Sequence, residues 1–349
     1  MFRFSGPVFS VAWRIPLGLL LKFFLNPLLV TRGGRRLLHP VYRWMGETTR
    51  GGYRLRYEYF GGTLLDVAIA ADKVWVTDYQ QDFVLAFDPA ELDSGATWIE
   101  TGRSAQVVRT GRSPDGLTVD GNFVWVVNRD DESVAKVDAR SGEVIATVAV
   151  GKKPQKVTAG GGAIWVTNMG DGTVTRIDPA TATPTATLPV GKAPVGIAVS
   201  GGRIYVTEPT EGVVWCVDQD GGAQAAHRIA TGGFPFLAIA DENMVWVTVQ
   251  REQVVVAIDP RTAELVARIP VGRNPYGGCL DDGVLWVACQ DDTLWQIDTA
   301  TRSTIREPLR LAIKSIPQPI DIAVDNGILW VISAGGGLHR VQKLSGEKR

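Results

Sequence analysis

The chain is 349 residues long, 45% hydrophobic and 21% charged, enough apolar material for a sizeable core and too much for a disordered chain. A formal net charge of −1 argues against a nucleic-acid partner, but the average conceals a division. Residues 1–56 carry ten basic residues against one acidic residue, Glu47, so that 36 Lys+Arg and 37 Asp+Glu leave 26 and 36 for the remainder, a +9 arm on a −10 body.

The arm, residues 1–52, comes first in chain order. Residues 7–30 are the most apolar stretch, interrupted by Arg14, Pro16, Lys22 and Pro27. Between the prolines a helix has room for roughly 17 Å at ~1.5 Å per residue, well short of the ~20 apolar residues that cross a bilayer. Arg14, Gly18, Lys22 and Asn26 recur every fourth residue as one polar stripe. That pattern predicts a helix lying in a membrane interface. Leu20 and Phe24 would be buried there, with Trp13 and Trp44 in the headgroup zone and Arg32, Arg35 and Arg36 on anionic lipid. The alternatives are a lid packed on the rest of the chain, a signal sequence leading to a secreted or periplasmic product, and a transit peptide. Were the segment to span, the positive residues after it would keep the body on the cytoplasmic face, the favoured side of a membrane-associated protein.

Next, Tyr53-Arg54-Leu55-Arg56-Tyr57-Glu58-Tyr59 alternates strictly and reads as a strand. After it, an aromatic-Val pair recurs at Trp75, Trp125, Trp165, Tyr205, Trp246, Trp286 and Trp330, at spacings of 50, 40, 40, 41, 40 and 44 residues. Each aromatic but the last is followed by an Asp: Asp88, Asp138, Asp178, Asp218, Asp259, Asp298. Each but the first is preceded by a Pro: Pro114, Pro154, Pro194, Pro235, Pro275, Pro319. Within a copy, short β-branched runs separated by Gly, Asp and Asn read as four strands. Seven four-stranded units in radial repetition predict an all-β, seven-bladed β-propeller of antiparallel blades spanning residues 53–349. The last copy lacks a fourth strand, and strand 53–59 is expected to fill the vacancy and close the ring.

Gly151-x-x-Pro154, Ile164-Trp165-Val166-Thr167-Asn168 and Gly172-Thr173-Val174-Thr175-Arg176-Ile177-Asp178 resemble the YVTN-type repeat of bacterial propellers. Over about residues 60–342 the pattern is also similar to the virginiamycin B lyase-like propellers. The resemblance implies the fold; in that family a Pro-His-Gly motif and a catalytic His at the central mouth carry the activity. Here the residues after the Pro are Asp115, Gln155, Val195, Phe236, Tyr276 and Ile320, so the resemblance does not extend to the catalytic motif.

The three histidines, His39, His227 and His339, fall in the arm, on an outer strand and on a third strand, which argues against a His-based metal site. No catalytic residue, metal or cofactor is assigned. Cys279 and Cys289 are expected on opposing strands in a register that keeps them apart, with Cys289 facing Tyr276, so the three thiols are predicted free. The most site-like residues are positional. Turns between blades repeat a base at Arg112, Lys152, Lys192 and Arg273, predicting a partial positive ring at the channel mouth. Asn128, Asn168 and Gln155 make one side of that mouth polar, while Phe236 and Tyr276 offer an apolar resting place. The expected function is therefore a non-catalytic binding platform for a protein partner or a small anionic ligand, held at an anionic membrane by its arm. A lyase- or hydrolase-type enzyme at the channel mouth is the alternative.

Overall fold

The computed structural model describes residues 46–50, 53–59, 62–89, 105–220, 227–311 and 318–343, all within the unit Val41–Arg349. Trp13, Leu20, Phe24, Arg32, Arg35, Arg36 and Trp44, the expected membrane contacts, lie outside the described residues.

Among the described residues the strands form seven antiparallel sheets, six of them each built from one sequence repeat. The sheet of blade 3 is representative: Pro154–Gly160, Ala163–Asn168, Thr173–Asp178 and Thr183–Pro189 pair in sequence order. First strands of successive blades touch one another around the ring, so they line the central channel. This is the seven-bladed propeller that the repeat count predicts.

Seven hydrophobic clusters hold the blades together, one at each blade–blade junction. The period of two along a strand explains their composition. In Val74-Trp75-Val76 the indole points one way and the two valines the other. Trp75 accordingly joins the cluster shared with blade 2, whereas Val74 and Val76 join the one shared with blade 7. Trp125, Trp165, Tyr205, Trp246 and Trp330 repeat this arrangement, each at 0% exposure. The recurring aromatic is thus the peg that each blade inserts into the next.

Closure uses both regions of the chain. Strand β1 (Gly46–Arg50) and strand β2 (Tyr53–Tyr59) precede blade 1 in sequence. Strand β2 pairs along its whole length with Gly337–Lys343, the third strand of blade 7, from Tyr53 opposite Lys343 to Tyr59 opposite Gly337. Strand β1, whose residues fall inside the arm as read from sequence, adds a fifth strand to the outside of that blade. The sheet therefore begins seven residues earlier than Tyr53, at Gly46. Gly51 and Gly52 separate the two strands, a spacing that suits a hairpin and carries no hydrophobic signal of its own. Blade 6 is irregular at its rim, where the outer strand is split into Ser303–Thr304 and Leu309–Arg310.

The thiols of Cys216, Cys279 and Cys289 are unbridged. Cys279 faces Trp286 as expected, but Cys289 faces Pro275 rather than Tyr276, because a bulge between Pro275 and Gly278 takes Tyr276 out of the ladder.

Candidate functional site: the channel mouth

In blades 1, 2, 3, 5, 6 and 7 the first strand carries a register shift near its start, as between Pro154 and Val157. A bulge of this kind re-aims side chains, and here it frees two residues from the ladder in blades 1, 2, 3, 5 and 6 and one, Ile320, in blade 7, at one end of the channel. A threonine two places after the recurring aromatic fastens the freed backbone. Thr77 Oγ1 accepts from the Asp66 N–H at 3.0 Å and donates to the Asp115 carbonyl of the next blade at 2.8 Å. Thr167 does the same from Lys156 N–H to Val195 O, Thr207 from Gly196 N–H to Phe236 O, and Thr248 from Leu237 N–H to Tyr276 O. Val127, Ala288 and Ile332 occupy the corresponding positions of blades 2, 6 and 7 and cannot make this link.

Charged side chains gather near two of those junctions. Lys156 of blade 3 reaches over blade 2 to Asp66 of blade 1, Nζ to Oδ2 2.7 Å, with both residues under 9% exposed. Its stem passes over Gly116, where a Cβ would stand 2.6 Å from Gln155 O and 2.9 Å from Lys156 Cα. The Asp66 carboxylate also accepts the Leu117 N–H of blade 2 at 3.1 Å. Asp321 of blade 7 lies against Asp66, and Gly277 makes room for it: a Cβ there would fall 2.4 Å from Asp321 Oδ1. Arg129, on the short 3-10 turn Arg129–Asp131, meets Asp115 at 3.4 Å.

Two carboxylates facing one ammonium cannot both ionise cheaply in so dry a place. Burial, then the Asp66 charge and a shared hydrogen bond, raise Asp321 well above the usual carboxylate range. Burial lifts Asp115 to about 6 even though Lys156 and Arg129 pull it down. Burial opposes the Lys156 ammonium, but Asp66, Asp115 and Asp321 outweigh it and hold its pKa above the ordinary lysine value. Opposite this polar wall, Phe236 and Tyr276 pack on each other with ring centroids 4.2 Å apart. Burial pushes the Tyr276 hydroxyl up to about 12. The two rings thus form one apolar pair, with planes tilted by 50°.

Other residues singled out from the sequence have different surroundings. Asn128 and Asn168 are fully buried. Asn128 exchanges hydrogen bonds with Thr110, and Asn168 accepts the Gly151 N–H while donating to Thr173 and Thr175. They tie the turn between blades to their own hairpin. Gln155 stands at the channel, where its Oε1 is shielded and finds no donor among the described residues. The bases of the expected ring are exposed, yet each has an acid beside it. Arg112 pairs with Asp131 and Lys192 with Glu211 at 3.4 Å, while Asp171 and Asp291 accept the backbone N–H of Lys152 and Arg273. The acids come from the loops between second and third strands, so the ring alternates in sign.

Comparison with known proteins agrees with this architecture. Residues 130–349 match the family model described as outer membrane protein assembly factor BamB. The chain belongs to that family. No curated protein sequence gives a match. Among solved structures, a catalytically inactive virginiamycin B lyase from Staphylococcus aureus, solved with quinupristin, is similar at a TM-score of 0.67 and 15% identity, over 83% of this chain and 99% of that one. Hydrazine synthase from Kuenenia stuttgartiensis gives 0.66 at 15%, covering 82% and 97%. The WD40 propeller of Doa1 gives 0.66 at 11%, covering 86% and 99%. At such identities the likeness concerns the fold alone. A BamB-type propeller of this kind fits a binding role.

Sequence reasoning missed Asp66, Lys156, Asp321 and Arg129. The threonines were findable, since Trp-Val-Thr or Tyr-Val-Thr recurs at Thr77, Thr167, Thr207 and Thr248. The charged residues were not, because each appears in only one or two of the repeats.

Proposed function

We propose that the protein is a non-catalytic binding platform, a rigid propeller attached to an anionic membrane surface by its N-terminal arm and presenting its loops to a protein partner. One observation carries this reading. The buried charges of the channel are engaged with one another across blades, Lys156 with Asp66, Asp66 with the Leu117 N–H and Arg129 with Asp115. They brace the ring, while Arg112, Lys152, Lys192 and Arg273 stand exposed in its turns. Membership of the BamB family supports an assembly role. The +9 arm with its striped apolar segment supports attachment to lipid. Among the described residues no helix is long and apolar enough to cross a membrane.

The experiment is co-purification and vesicle flotation of the full chain against a chain beginning at Gly46, which keeps the outer strand of blade 7. The full chain floats with vesicles containing phosphatidylglycerol and retains a protein partner there, while the shortened chain stays in the dense fractions. Equal behaviour of the two would remove the membrane part of the proposal.

A second reading, a lyase- or hydrolase-type enzyme, is favoured by Asp115, a buried carboxyl held near 6 beside Arg129 at the mouth. Asp115→Asn separates the two. It leaves partner capture and flotation of a platform intact, and it abolishes turnover by an enzyme that uses this group as acid or base.

A further inference from the structure

We infer that the mouth face of the propeller is the side turned to the anionic lipid layer, an inference that rests on the membrane attachment proposed above. Three independent features of the described residues support it.

The first is strand polarity. Strand β1 runs antiparallel to β2, with Gly46 opposite Tyr57 and Arg50 opposite Tyr53. The Tyr59 end of β2 pairs with Gly337, just after the turn joining the second and third strands of blade 7. Turns of that class lie on the mouth face in every blade, beside the turns from one blade to the next: Arg129 N–H donates to Ser113 O and Met169 N–H to Lys153 O. Gly46, the first described residue, therefore stands at the mouth-face end of blade 7.

The second is charge. The turns of the opposite face carry Asp120, Asp178, Asp241, Glu242, Asp282 and Asp325. Bases are fewer there, and two of them, Arg203 and Arg261, are paired with Asp218 and Asp259 of the same face. Such a face is repelled by an anionic surface within a Debye length of about 8–10 Å. On the mouth face two of the bases in the turns between blades stand well clear of the acids they pair with. The Arg112 side chain is 66% exposed against 32% for Asp131, and Lys192 is 78% exposed against 23% for Glu211. At these two turns the cation stands outermost, with the acid beneath it.

The third is Phe234. The residue before the turn proline is Ser113, Lys153, Asn274 and Gln318 in blades 2, 3, 6 and 7, all polar and all at positive φ. Blade 5 instead holds a partly exposed phenylalanine at φ +69°, a strained conformation for so bulky a side chain. The Arg251 guanidinium stands 5.3 Å from its ring. An aromatic ring flanked by a cation at a turn tip matches the headgroup zone, where a ring and a base both find partners.

The test uses the full chain and vesicles of phosphatidylglycerol and phosphatidylcholine at low salt. Lys152→Glu, Lys192→Glu and Arg273→Glu made together should weaken binding at least about tenfold, since each base near the surface contributes on the order of one kilocalorie per mole. Asp178→Lys, Asp241→Lys and Asp325→Lys together should alter it by less than about twofold, because that face stands beyond a Debye length from the lipid. Phe234→Ser alone should weaken binding in a chain that still folds, although the ring also stacks on Phe236 at 6.4 Å; this variant keeps the test decisive if the mouth triple variant folds poorly. The inference is overturned if the mouth substitutions leave binding unchanged, or if the opposite set tightens it strongly, which would put the acidic face at the membrane. A wild-type chain that ignores the vesicles altogether is a different result: it removes the attachment itself and the inference with it.

Discussion

The hydroxyl of Thr207 joins two blades, accepting the Gly196 N–H and donating to the Phe236 carbonyl, both at 2.7 Å in a fully buried setting. Thr207→Val keeps the shape and leaves both backbone groups unpaired, at a cost of about 2–3 kcal/mol. Thr207→Ser, which keeps the hydroxyl, should cost less than half as much; equal urea midpoints for the two variants would show that the link contributes nothing. Titration makes a second residue-scale prediction. Asp115 binds its proton more tightly folded, near 6 against an ordinary 3.8, so the folded chain holds the extra proton between those values and stability falls as pH rises through them. Buried His339, held down to about 4 from 6.5, works in the other direction, costing stability as pH falls through that range. Asp115→Asn removes the first effect and leaves the second. Its melting temperature should therefore gain on the wild type from pH 4 to 6 and level off above; a constant offset across the range would refute the shift.

At the scale of strands and blades, Tyr53 shows how much one added strand contributes. It is 6% exposed, edge-on to Trp286 with centroids 5.9 Å apart, in the cluster between blades 6 and 7. Tyr53→Ala should cost about 3–4 kcal/mol. A chain beginning at Gly61 should melt far below one beginning at Gly46, which calorimetry would settle. The blades were legible in the sequence because the aromatic peg, the turn proline and the closing aspartate serve the same purpose in each copy, so period alone displays them. Strand β2 was legible through its alternation and the vacancy in blade 7, whereas β1, Gly46-Glu47-Thr48-Thr49-Arg50, has no apolar alternation to announce it. The channel cluster was hidden for the opposite reason. Lys156 and Asp66 lie 90 residues apart at positions where the repeats differ, and periodicity reports only what the repeats share. The bases of the mouth ring recur in the turns between blades and are visible in the repeat, but their acidic neighbours come from a different loop class and the alternation emerges only in three dimensions.

For the molecule as a whole, the arm and the body carry opposite charge, and attachment should respond to salt accordingly. Neutralising Arg32, Arg35 and Arg36 together should weaken vesicle binding by about 3 kcal/mol at low ionic strength. Raising the salt to 0.5 M should erase most of the difference between that variant and the wild type, because exposed charges are screened over about 10 Å already at 0.1 M. A salt-independent loss would point to the apolar face of the segment instead. The pairing of β2 with Gly337–Lys343 also has a consequence during synthesis. One partner of that ladder leaves the ribosome long before the other exists, an interval of roughly 15–60 s at ~5–20 residues per second. Throughout that interval the nascent chain carries an unmatched edge while the blades behind it assemble in order, and the last long-range pairing comes only at the end. Chaperone capture of stalled chains truncated before residue 337 should therefore be strong, and should drop once the third strand of blade 7 has emerged.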